Sequence, residues 1–481
     1  MIGLGVYFSR KNTSTEVYFV GGRSFPGWVI GLSLVGTSIS SVTFLAYPGD
    51  AYKTAWLRFL PNLMLPVGML IAAYWFLPFF RKQKVTSAYE FLEARFGPSV
   101  RVYGALVFLF GQCVRVSTIL YLVALLMHEL TGMDTVLCIV LSGLLVSFYT
   151  VLGGIEAVIW TDVIQTVVLV LGGLLCLWVI VEHLPGGLTQ IIDVANAQGK
   201  LAFSEWKAGS LHPVTWEFSL LNKTGTMMLI LVLVSWLTEY SSNQNTVQRF
   251  CASRSVTEAR KGMLICALSS LPIWAFYMFL GTALFVFYQV YPAAEPQEML
   301  SGSRKAEQIL PYFIRNELPV GVAGLVIAAA LAAAMSSLDS SINAMSTVSI
   351  VDIYRRHWVK HKSDKHYLHV AWGIAVVASV LMVLGSIYLN LAETKTLQDT
   401  ATILVSLLGG GLLGLYIMGF ATRWGDARAA WVGISLTVVY STWALLSSRG
   451  WLPAPYRAPF DTYYTTLFAN SVMFVSILLS A

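Results

Sequence analysis

The sequence predicts an all-α polytopic membrane protein, and three observations lead to this class. The 481 residues are 56% hydrophobic and only 12% charged, whereas a soluble domain has about 25% charged residues. The mean hydropathy is +0.68. Apolar runs of about 18 residues or more, long enough for a helix to cross a bilayer, recur along the whole chain. No soluble domain is visible between them.

Twelve membrane-spanning helices are predicted from these runs. They cover residues 26–50, 56–80, 101–130, 134–152, 155–183, 224–248, 263–290, 319–353, 366–391, 399–422, 426–447 and 463–480. The opening octet MIGLGVYF is too short to cross a bilayer and lacks the cleavage pattern of a signal peptide. We interpret it as the end of a helix whose beginning is missing.

The basic residues of the connections orient the chain. With the segment before the first span in the cytoplasm, the cytoplasmic connections hold most of the 31 Lys and Arg residues, Arg249 among them. This orientation agrees with the positive-inside rule, by which cytoplasmic loops carry an excess of Lys and Arg. We therefore attribute the net charge of +6 to these loops and not to nucleic-acid binding. The two longest loops, 184–223 and 291–318, then lie outside. Each carries an amphipathic stretch, predicted to be either a lid or a packed interfacial helix.

The sequence offers little for an enzyme. The five cysteines fall in or beside apolar runs without metal-ligand spacing, so we interpret them as small apolar residues. The chain contains neither an HExxH motif nor a glycine-rich phosphate loop. We therefore predict no enzymatic activity, and we expect a monomer in the inner (plasma) membrane.

Two predicted spans are interrupted by polar residues in corresponding positions. Span one contains GLSLVGTSISSVTF (31–44), and span six contains SWLTEYSSNQNTVQRF (235–250). Each begins a run of five spans. Paired interruptions of this kind are typical of inverted-repeat transporters, whose substrate site lies at the breaks. The alternative is that these small residues serve helix contacts, as Ser, Thr and Gly often do in membranes.

Charged residues within the spans are candidates for function because each costs at least ~2.5–3.5 kcal/mol to insert. Arg115 lies in span three, Asp162 in span five, Glu239 in span six and Asp339 in span eight. The alternative for Arg115 is that it neutralises Glu239 or Asp339. Arg58 lies near the outer interface, where snorkelling is expected, although a site role with Asn62 one turn away stays open.

A stripe of oxygen atoms is predicted in span eight, where AAAMSSLDSSIN (332–343) follows a long apolar run. Helical spacing places Ser336, Asp339, Ser340 and Asn343 on one face, with Ser337 and Ser341 beside it. Hydroxyl, carboxylate and carbonyl oxygens suit a hard cation. The alternative is that the serines bond back to their own helix.

Four motifs in this chain resemble the sodium:solute symporter family. They are VTSAYEFLEARFG (85–97), GGIEAVIWTDVIQ (153–165), NQNTVQRF (243–250) and AAAMSSLDSSINAMSTV (332–348). The resemblance covers essentially the whole chain. It implies the leucine-transporter fold, with spans one to five and six to ten as inverted repeats plus flanking helices. Members of the family have an additional N-terminal span, which fits the short apolar start.

The resemblance implies a domain organisation. Residues 1–25 are the end of a truncated N-terminal helix and a cytoplasmic link. The first five-helix repeat covers 26–183, an outer loop 184–223, the second inverted repeat 224–422 and two C-terminal helices 423–481.

The resemblance also implies the sodium ligands, and two sodium ions are expected. One ion would be held by the carbonyls of Gly36, Ile39 and Ala333 and by the hydroxyls of Ser336 and Ser337. A further sodium, present in some branches, would be held by Asp162, Ser336, Asp339 and Ser340. Position 339 is a hydroxyl in some relatives, so Asp339 would either strengthen that site or replace it with a salt bridge.

Within the family the motifs look most like those of bacterial sialic acid symporters. The matching substrate-binding positions are Ser38, Ser40, Thr43, Asn62 and Arg115. Arginine can grip a carboxylate with two parallel hydrogen bonds, which predicts an acidic substrate. The expected function is sodium-coupled import of an acidic sugar such as sialic acid. The alternatives are a sodium symporter for a neutral sugar or small monocarboxylate, and a sensor that binds without transporting.

Overall fold

The computed structural model describes residues 2–39, 41–82, 84–207, 210–391 and 409–481. Ser40, one of the predicted substrate-binding residues, lies outside them. The helices are α1 (Ile2–Ser9), α2 (Thr15–Val20), α3 (Gly27–Ser38), α4 (Ser41–Lys53), α5 (Trp56–Lys82), α6 (Glu90–Phe96), α7 (Pro98–Thr131), α8 (Thr135–His183), α9 (Gly187–Ala197), α10 (Gly225–Ser242), α11 (Gln244–Ala252), α12 (Val256–Val290), α13 (Ala294–Ser301), α14 (Ile309–Asn316), α15 (Val320–Trp358), α16 (Asp364–Leu391), α17 (Leu412–Ala421), α18 (Ala427–Ser448) and α19 (Thr465–Leu479).

Short elements complete the described chain. Strands β1 (Ser204–Lys207) and β2 (Ser210–Pro213) pair antiparallel in the long outer loop, a hairpin that the sequence did not predict. Short 3-10 turns lie at Gly21–Arg23, Ala306–Gln308, Ala454–Tyr456 and Thr462–Tyr464.

Eight of the described helices are long and apolar enough to cross a membrane, or nine when the bent pair α3–α4 is taken as one span. Helices α17 and α19 are apolar but shorter. The predicted span 399–422 lies partly outside the described residues, and α17 is its end. The remaining difference from the twelve predicted spans is α8, in which two predicted spans are continuous.

Helix α8 has 49 residues, roughly 74 Å if it were straight, whereas the hydrocarbon core of a bilayer is about 30 Å thick. It therefore contains two spans. The turn is at Gly154, whose φ of +61° and ψ of −161° are not helical. A Cβ on Gly154 would lie 2.9 Å from the carbonyl oxygen of Tyr18, so glycine serves both the backbone conformation and the close approach of α2. The predicted boundary between 152 and 155 is confirmed.

Both predicted helix breaks are present. Helix α3 ends at Ser38, Ile39 adopts an extended conformation (φ −102°, ψ 98°), and the axis of the following helix differs by 55°. Helix α10 ends at Ser242, and Asn243 is extended (φ −84°, ψ 115°) before α11 begins. Helix ends leave backbone carbonyl and amide groups without helical partners, so each break supplies polar groups in the interior.

The amphipathic stretches of the outer loops are packed helices. Helix α14 buries Ile309, Leu310, Phe313 and Ile314, and α9 buries Ile191 and Ala195. Of the two predicted alternatives, the packed helix is therefore the one observed.

Lys200, in the outer loop after α9, is 3% exposed and fastens this loop to the end of α4. Its Nζ atom donates to the carbonyl oxygens of Tyr52 and Thr54, at 2.7 and 2.9 Å, and lies over the ring of Phe285. These contacts cap the C-terminal end of the outer half of the broken helix. Burial without a carboxylate lowers the pKa of Lys200 from 10.5 to about 7.

This pKa predicts a pH dependence of stability. Between pH 7 and 10.5 the unfolded chain holds a proton on Lys200 that the folded chain has lost. Stability therefore rises with pH across this window, and the cost of burying the charge is greatest below pH 7. In Lys200→Gln the rise of the thermal unfolding temperature between pH 7 and 10.5 should disappear. Lys305→Gln, which changes an exposed lysine of the outer loop, should keep this rise. A rise that persists in Lys200→Gln would contradict the assignment.

Candidate cation and substrate sites

The predicted oxygen stripe lies inside an unbroken helix and is buried. Ser336, Ser337, Asp339, Ser340 and Asn343 in α15 are each at most 2% exposed. The serines divide into two pairs. Ser340 and Ser341 donate to carbonyl oxygens four residues earlier, as the alternative predicted. Ser336 and Ser337 do not bond back in this way, so their hydroxyls are available for other partners.

The ligands predicted for the first sodium lie at the contact between α15 and the end of α3. A Cβ on Gly36 would lie 3.1 Å from Oγ of Ser336, so the helices approach closely enough for oxygens from both to share one ion. The hydroxyl of Ser337 is buried without a hydrogen-bond partner. Ile39 leaves the helix immediately before the break, and Ala333 lies one turn before Ser337. A buried hydroxyl with no protein partner fits the role of a sodium ligand.

The ligands predicted for a second sodium are already hydrogen-bonded to protein groups. Oδ2 of Asp162 accepts from the hydroxyl of Ser33 at 2.5 Å and from Nη2 of Arg249 at 2.6 Å. Oδ1 of Asp162 accepts from Ser336 at 2.7 Å. The same Nη2 atom donates to Ser340 at 2.6 Å. A guanidinium therefore lies between two of the four predicted ligands, and the second sodium site stays a prediction.

Arg249 was counted from the sequence among the cytoplasmic loop charges, and that placement was wrong. Its side chain is 1% exposed. The break at Asn243 starts a new helix, α11, whose buried face carries Arg249 into the interior. When a helix is broken, the position of a residue just after an apolar run does not show whether its side chain lies at the membrane surface or in the protein interior.

Asp339 has hydroxyl neighbours. Its Oδ2 atom is 2.9 Å from the hydroxyl of Tyr149 and 3.2 Å from that of Thr161, and Oδ1 is 3.3 Å from the hydroxyl of Ser340. The alternative in which Asp339 forms a salt bridge with Arg115 is not observed among the described residues.

Two predicted substrate-binding residues lie against an aromatic cluster. The hydroxyl of Thr43 accepts from Nε1 of Trp274 at 3.3 Å, and Trp274 stacks on Tyr47 with ring centroids 6.5 Å apart. The hydroxyl of Tyr47 in turn accepts from Nδ2 of Asn62 at 2.5 Å. The broken helix, α5 and α12 thus meet around Thr43 and Asn62.

A third predicted residue, Ser38, lies next to the hydroxyl of Tyr240. Tyr240 stacks on Trp236 at 6.0 Å, and Trp236 contacts Trp274 at 5.9 Å, which extends the aromatic cluster along α10. The hydroxyl of Tyr240 and Nε1 of Trp236 are buried without hydrogen-bond partners, so both groups are available to a bound solute.

Arg115 is half-buried in α7 and, within the described part of the chain, has no ion-pair or hydrogen-bond partner. Gln112, one turn earlier on the same face, is 3.4 Å from Asn245, just after the second break. The other predicted partner, Glu239, instead accepts hydrogen bonds from Asn243 and Thr246 at 2.7 Å each. Helical spacing therefore places Arg115 on the same side of α7 as Gln112, and no carboxylate of the described residues pairs with it.

Arg58, unlike Arg115, has a carboxylate partner. It pairs with Asp50 and lies 5.8 Å from the ring of Tyr47. The pair fastens the start of α5 to the end of α4, near the outer surface.

Sequence reasoning missed several residues of the site. Arg249, Tyr149, Tyr240 and Trp274 contact predicted site residues, and Trp236 contacts Tyr240 and Trp274. A signal was present for two of them, because Trp236 and Tyr240 are four residues apart just before the break in span six and therefore share a helix face. Tyr149 and Arg249 carry no such local signal.

Two broken helices that meet an unbroken helix with a buried stripe of oxygens define a secondary transporter with the leucine-transporter fold. The model of the sodium:solute symporter family matches residues 18–432. The chain belongs to this family of sodium-coupled symporters and is a multi-pass protein of the plasma membrane.

Individual relatives agree with this assignment. The sodium/sialic acid symporter SiaT of Proteus mirabilis (strain HI4320) is 36% identical over 451 residues, which cover 93% of this chain and 87% of that protein. A solved structure of a Na+-coupled sialic acid symporter in a substrate-bound outward-open state superposes with a TM-score of 0.88 at 32% identity, covering 100% of this chain and 94% of the other. The nucleobase-cation-symport-1 transporter Mhp1 has the same fold, with a TM-score of 0.58 at 14% identity, covering 96% of this chain and 94% of the other.

Proposed function

We propose that this protein imports an acidic sugar, such as sialic acid, together with sodium by alternating access. The observation that carries the proposal is Arg115, an arginine in a membrane span with no carboxylate partner among the described residues. An uncompensated charge in a membrane interior is costly, so its retention is explained by a solute that brings the missing negative charge. The named activity of the relatives supports the same class of solute.

The aromatic cluster supports a sugar rather than a small monocarboxylate. Trp236, Trp274 and Tyr47 offer ring faces, and Tyr240 and Trp236 offer unpaired donors. Ring faces pack against the apolar faces of a sugar, and donors bond its hydroxyls. A carboxylate of two or three carbons would satisfy Arg115 but would leave these donors unpaired, at a cost of about 1–3 kcal/mol each.

Sodium is proposed to bind between α3 and α15. The ligands are the carbonyls of Gly36, Ile39 and Ala333 and the hydroxyls of Ser336 and Ser337. The unpaired hydroxyl of Ser337 supports this position. An ion that bridges the broken helix and α15 would link the occupancy of the site to the angle between them, which is how sodium could favour a substrate-binding conformation.

The test is uptake of labelled sialic acid into proteoliposomes. We expect uptake with an inward sodium gradient and little with potassium in its place. Full uptake driven by a proton gradient without sodium would contradict sodium coupling. Equal competition by neutral hexoses would contradict the acidic substrate.

Ser337→Ala should weaken sodium binding at the first site. Loss of one hydroxyl ligand is expected to raise the sodium concentration for half-maximal uptake by about tenfold, corresponding to ~1.4 kcal/mol. Ser346→Ala is a matched control because Ser346 is buried in the same helix and donates to the carbonyl of Ala371, away from the site. An unchanged sodium requirement in Ser337→Ala would remove Ser337 from the site.

A further inference from the structure

A groove near the outer surface belongs neither to the substrate site nor to the sodium site. It has a volume of about 330 Å³ and lies between α10, the outer half of the second broken helix, and the start of α19. Met228, Leu231, Val232 and Ser235 line the groove along one face of α10. Lys223, which precedes α10 in the outer loop, also lines it.

We propose that this groove binds an anionic phospholipid of the outer leaflet, with the lipid phosphate at Lys223 and one acyl chain along α10. The inference does not rest on the proposed function, because lipid binding can be measured without any transported solute.

The length of the groove matches one leaflet of a bilayer. Ser235 follows Lys223 by twelve residues, and nearly all of this stretch is helical. At 1.5 Å per residue the two positions are roughly 18 Å apart, whereas half of a hydrocarbon core of about 30 Å is about 15 Å. The cation therefore lies at the level of the lipid headgroups, and the apolar wall lies at the depth of the acyl chains.

Aromatic side chains mark the membrane surface beside Lys223. Trp216 and Tyr463 are both more than half exposed, as is typical of Trp and Tyr side chains at a membrane–water interface. Their two chain segments are joined, because the hydroxyl of Tyr464 donates to the carbonyl oxygen of Ser219 at 2.7 Å. The mouth of the groove is thus a fixed structure at the interface.

The charge of Lys223 favours an anionic ligand. Its Nζ atom lies 5.5 Å from the ring centroid of Tyr463, and Lys223 forms no ion pair within the described residues. Asp50, a carboxylate near enough to interact with Lys223, is already paired with Arg58. A lipid phosphate supplies the missing negative charge, and an anionic headgroup is attracted more strongly than a zwitterionic one.

The size of the groove favours an acyl chain over a protein helix. Among the described spans, α10 has the smallest share of its apolar stretch buried, 28% against 33% to 50% for the others. A helix about 10 Å across would need roughly four times the volume of the groove over the same length. An acyl chain is thinner and can cover this face of α10.

The experiment is photo-cross-linking of the full chain in phosphatidylcholine vesicles. The probe is phosphatidylglycerol with a photoreactive group at the end of one acyl chain. Peptide mapping should place the label between residues 227 and 235. Phosphatidylcholine that carries the same photoreactive group should label this segment much less.

Matched variants separate the headgroup contact from the groove. Lys223→Gln should reduce labelling about fivefold, whereas Lys305→Gln, at another exposed lysine of the outer side, should not. Leu231→Trp fills the groove and should abolish the label. Leu381→Trp, on an exposed face of α16, should keep it. If Leu231→Trp does not fold, Val232→Phe repeats the test.

The outcomes decide between the possible occupants of the groove. Equal labelling by the two lipids, or unchanged labelling in Lys223→Gln, would overturn the proposal. If no label appears between residues 227 and 235 and the chain migrates as a dimer, a second copy covers the groove and the proposal is wrong. Failure of sodium-driven uptake would contradict only the proposed function and would leave the lipid site intact.

Discussion

Arg115→Ala is expected to abolish high-affinity binding of an acidic substrate. A guanidinium that grips a carboxylate with two charged hydrogen bonds contributes about 1.5–3 kcal/mol per bond. Loss of both corresponds to at least ~3 kcal/mol, or roughly a 150-fold weaker affinity. The change should have little effect on folding, because Arg115 forms no ion pair within the described residues that its removal would break.

Arg115→Lys separates charge from geometry. It keeps the positive charge but loses the planar fork that matches a carboxylate, so binding should be intermediate. Arg260→Ala is the matched control, since this arginine donates to the carbonyl of Ala73 and lies over the ring of Tyr74, away from the breaks.

The measurement is substrate binding by calorimetry in saturating sodium, with sialic acid and with the corresponding neutral sugar. Normal binding of sialic acid by Arg115→Ala would make the acidic-substrate proposal wrong, whatever the effect of the other variants.

The sequence could predict the fold because its signals are local. Polar clusters inside apolar runs marked the breaks now seen at Ile39 and Asn243, and the predicted boundary between 152 and 155 contains the turn at Gly154. The resemblance then supplied the inverted repeats. The outer hairpin of β1 and β2 was missed because its eight residues form only one short pair of strands, without a repeated alternating pattern.

The site was predictable residue by residue but not as a set of contacts. Helical spacing gave the stripe of α15, yet it could not show that Ser336 donates to Asp162 while Ser340 bonds back to its own helix. Tyr149 reaches Asp339 across 190 positions of sequence, and Arg249 reaches Asp162 across 87. Such pairs depend on how helices pack, and a single sequence holds no measure of that.

The number of sodium ions illustrates the same difficulty. Two intramembrane carboxylates in the sequence favour two sodium ions, and two ions with a monoanion would make transport electrogenic. The ion pair of Arg249 with Asp162 could not be predicted from the sequence, and the number of sodium ions stays a prediction.

With two sodium ions and one monoanion per cycle, transport is expected to carry one net positive charge inward. Two sodium ions moving down a tenfold gradient and a potential of about 100 mV supply roughly 7.4 kcal/mol, and moving the anion inward costs about 2.3 kcal/mol. The remaining ~5 kcal/mol permits accumulation of several thousandfold.

The measurement is transport current on a supported membrane together with steady-state accumulation in proteoliposomes. An inward positive current should appear when substrate is added, and accumulation should rise when a potassium diffusion potential of about 100 mV, negative inside, is imposed. One sodium ion with a monoanion would carry no net charge, so a tenfold sodium gradient of roughly 1.4 kcal/mol would limit accumulation to about tenfold. Accumulation of only about tenfold without a current would therefore contradict the second sodium ion.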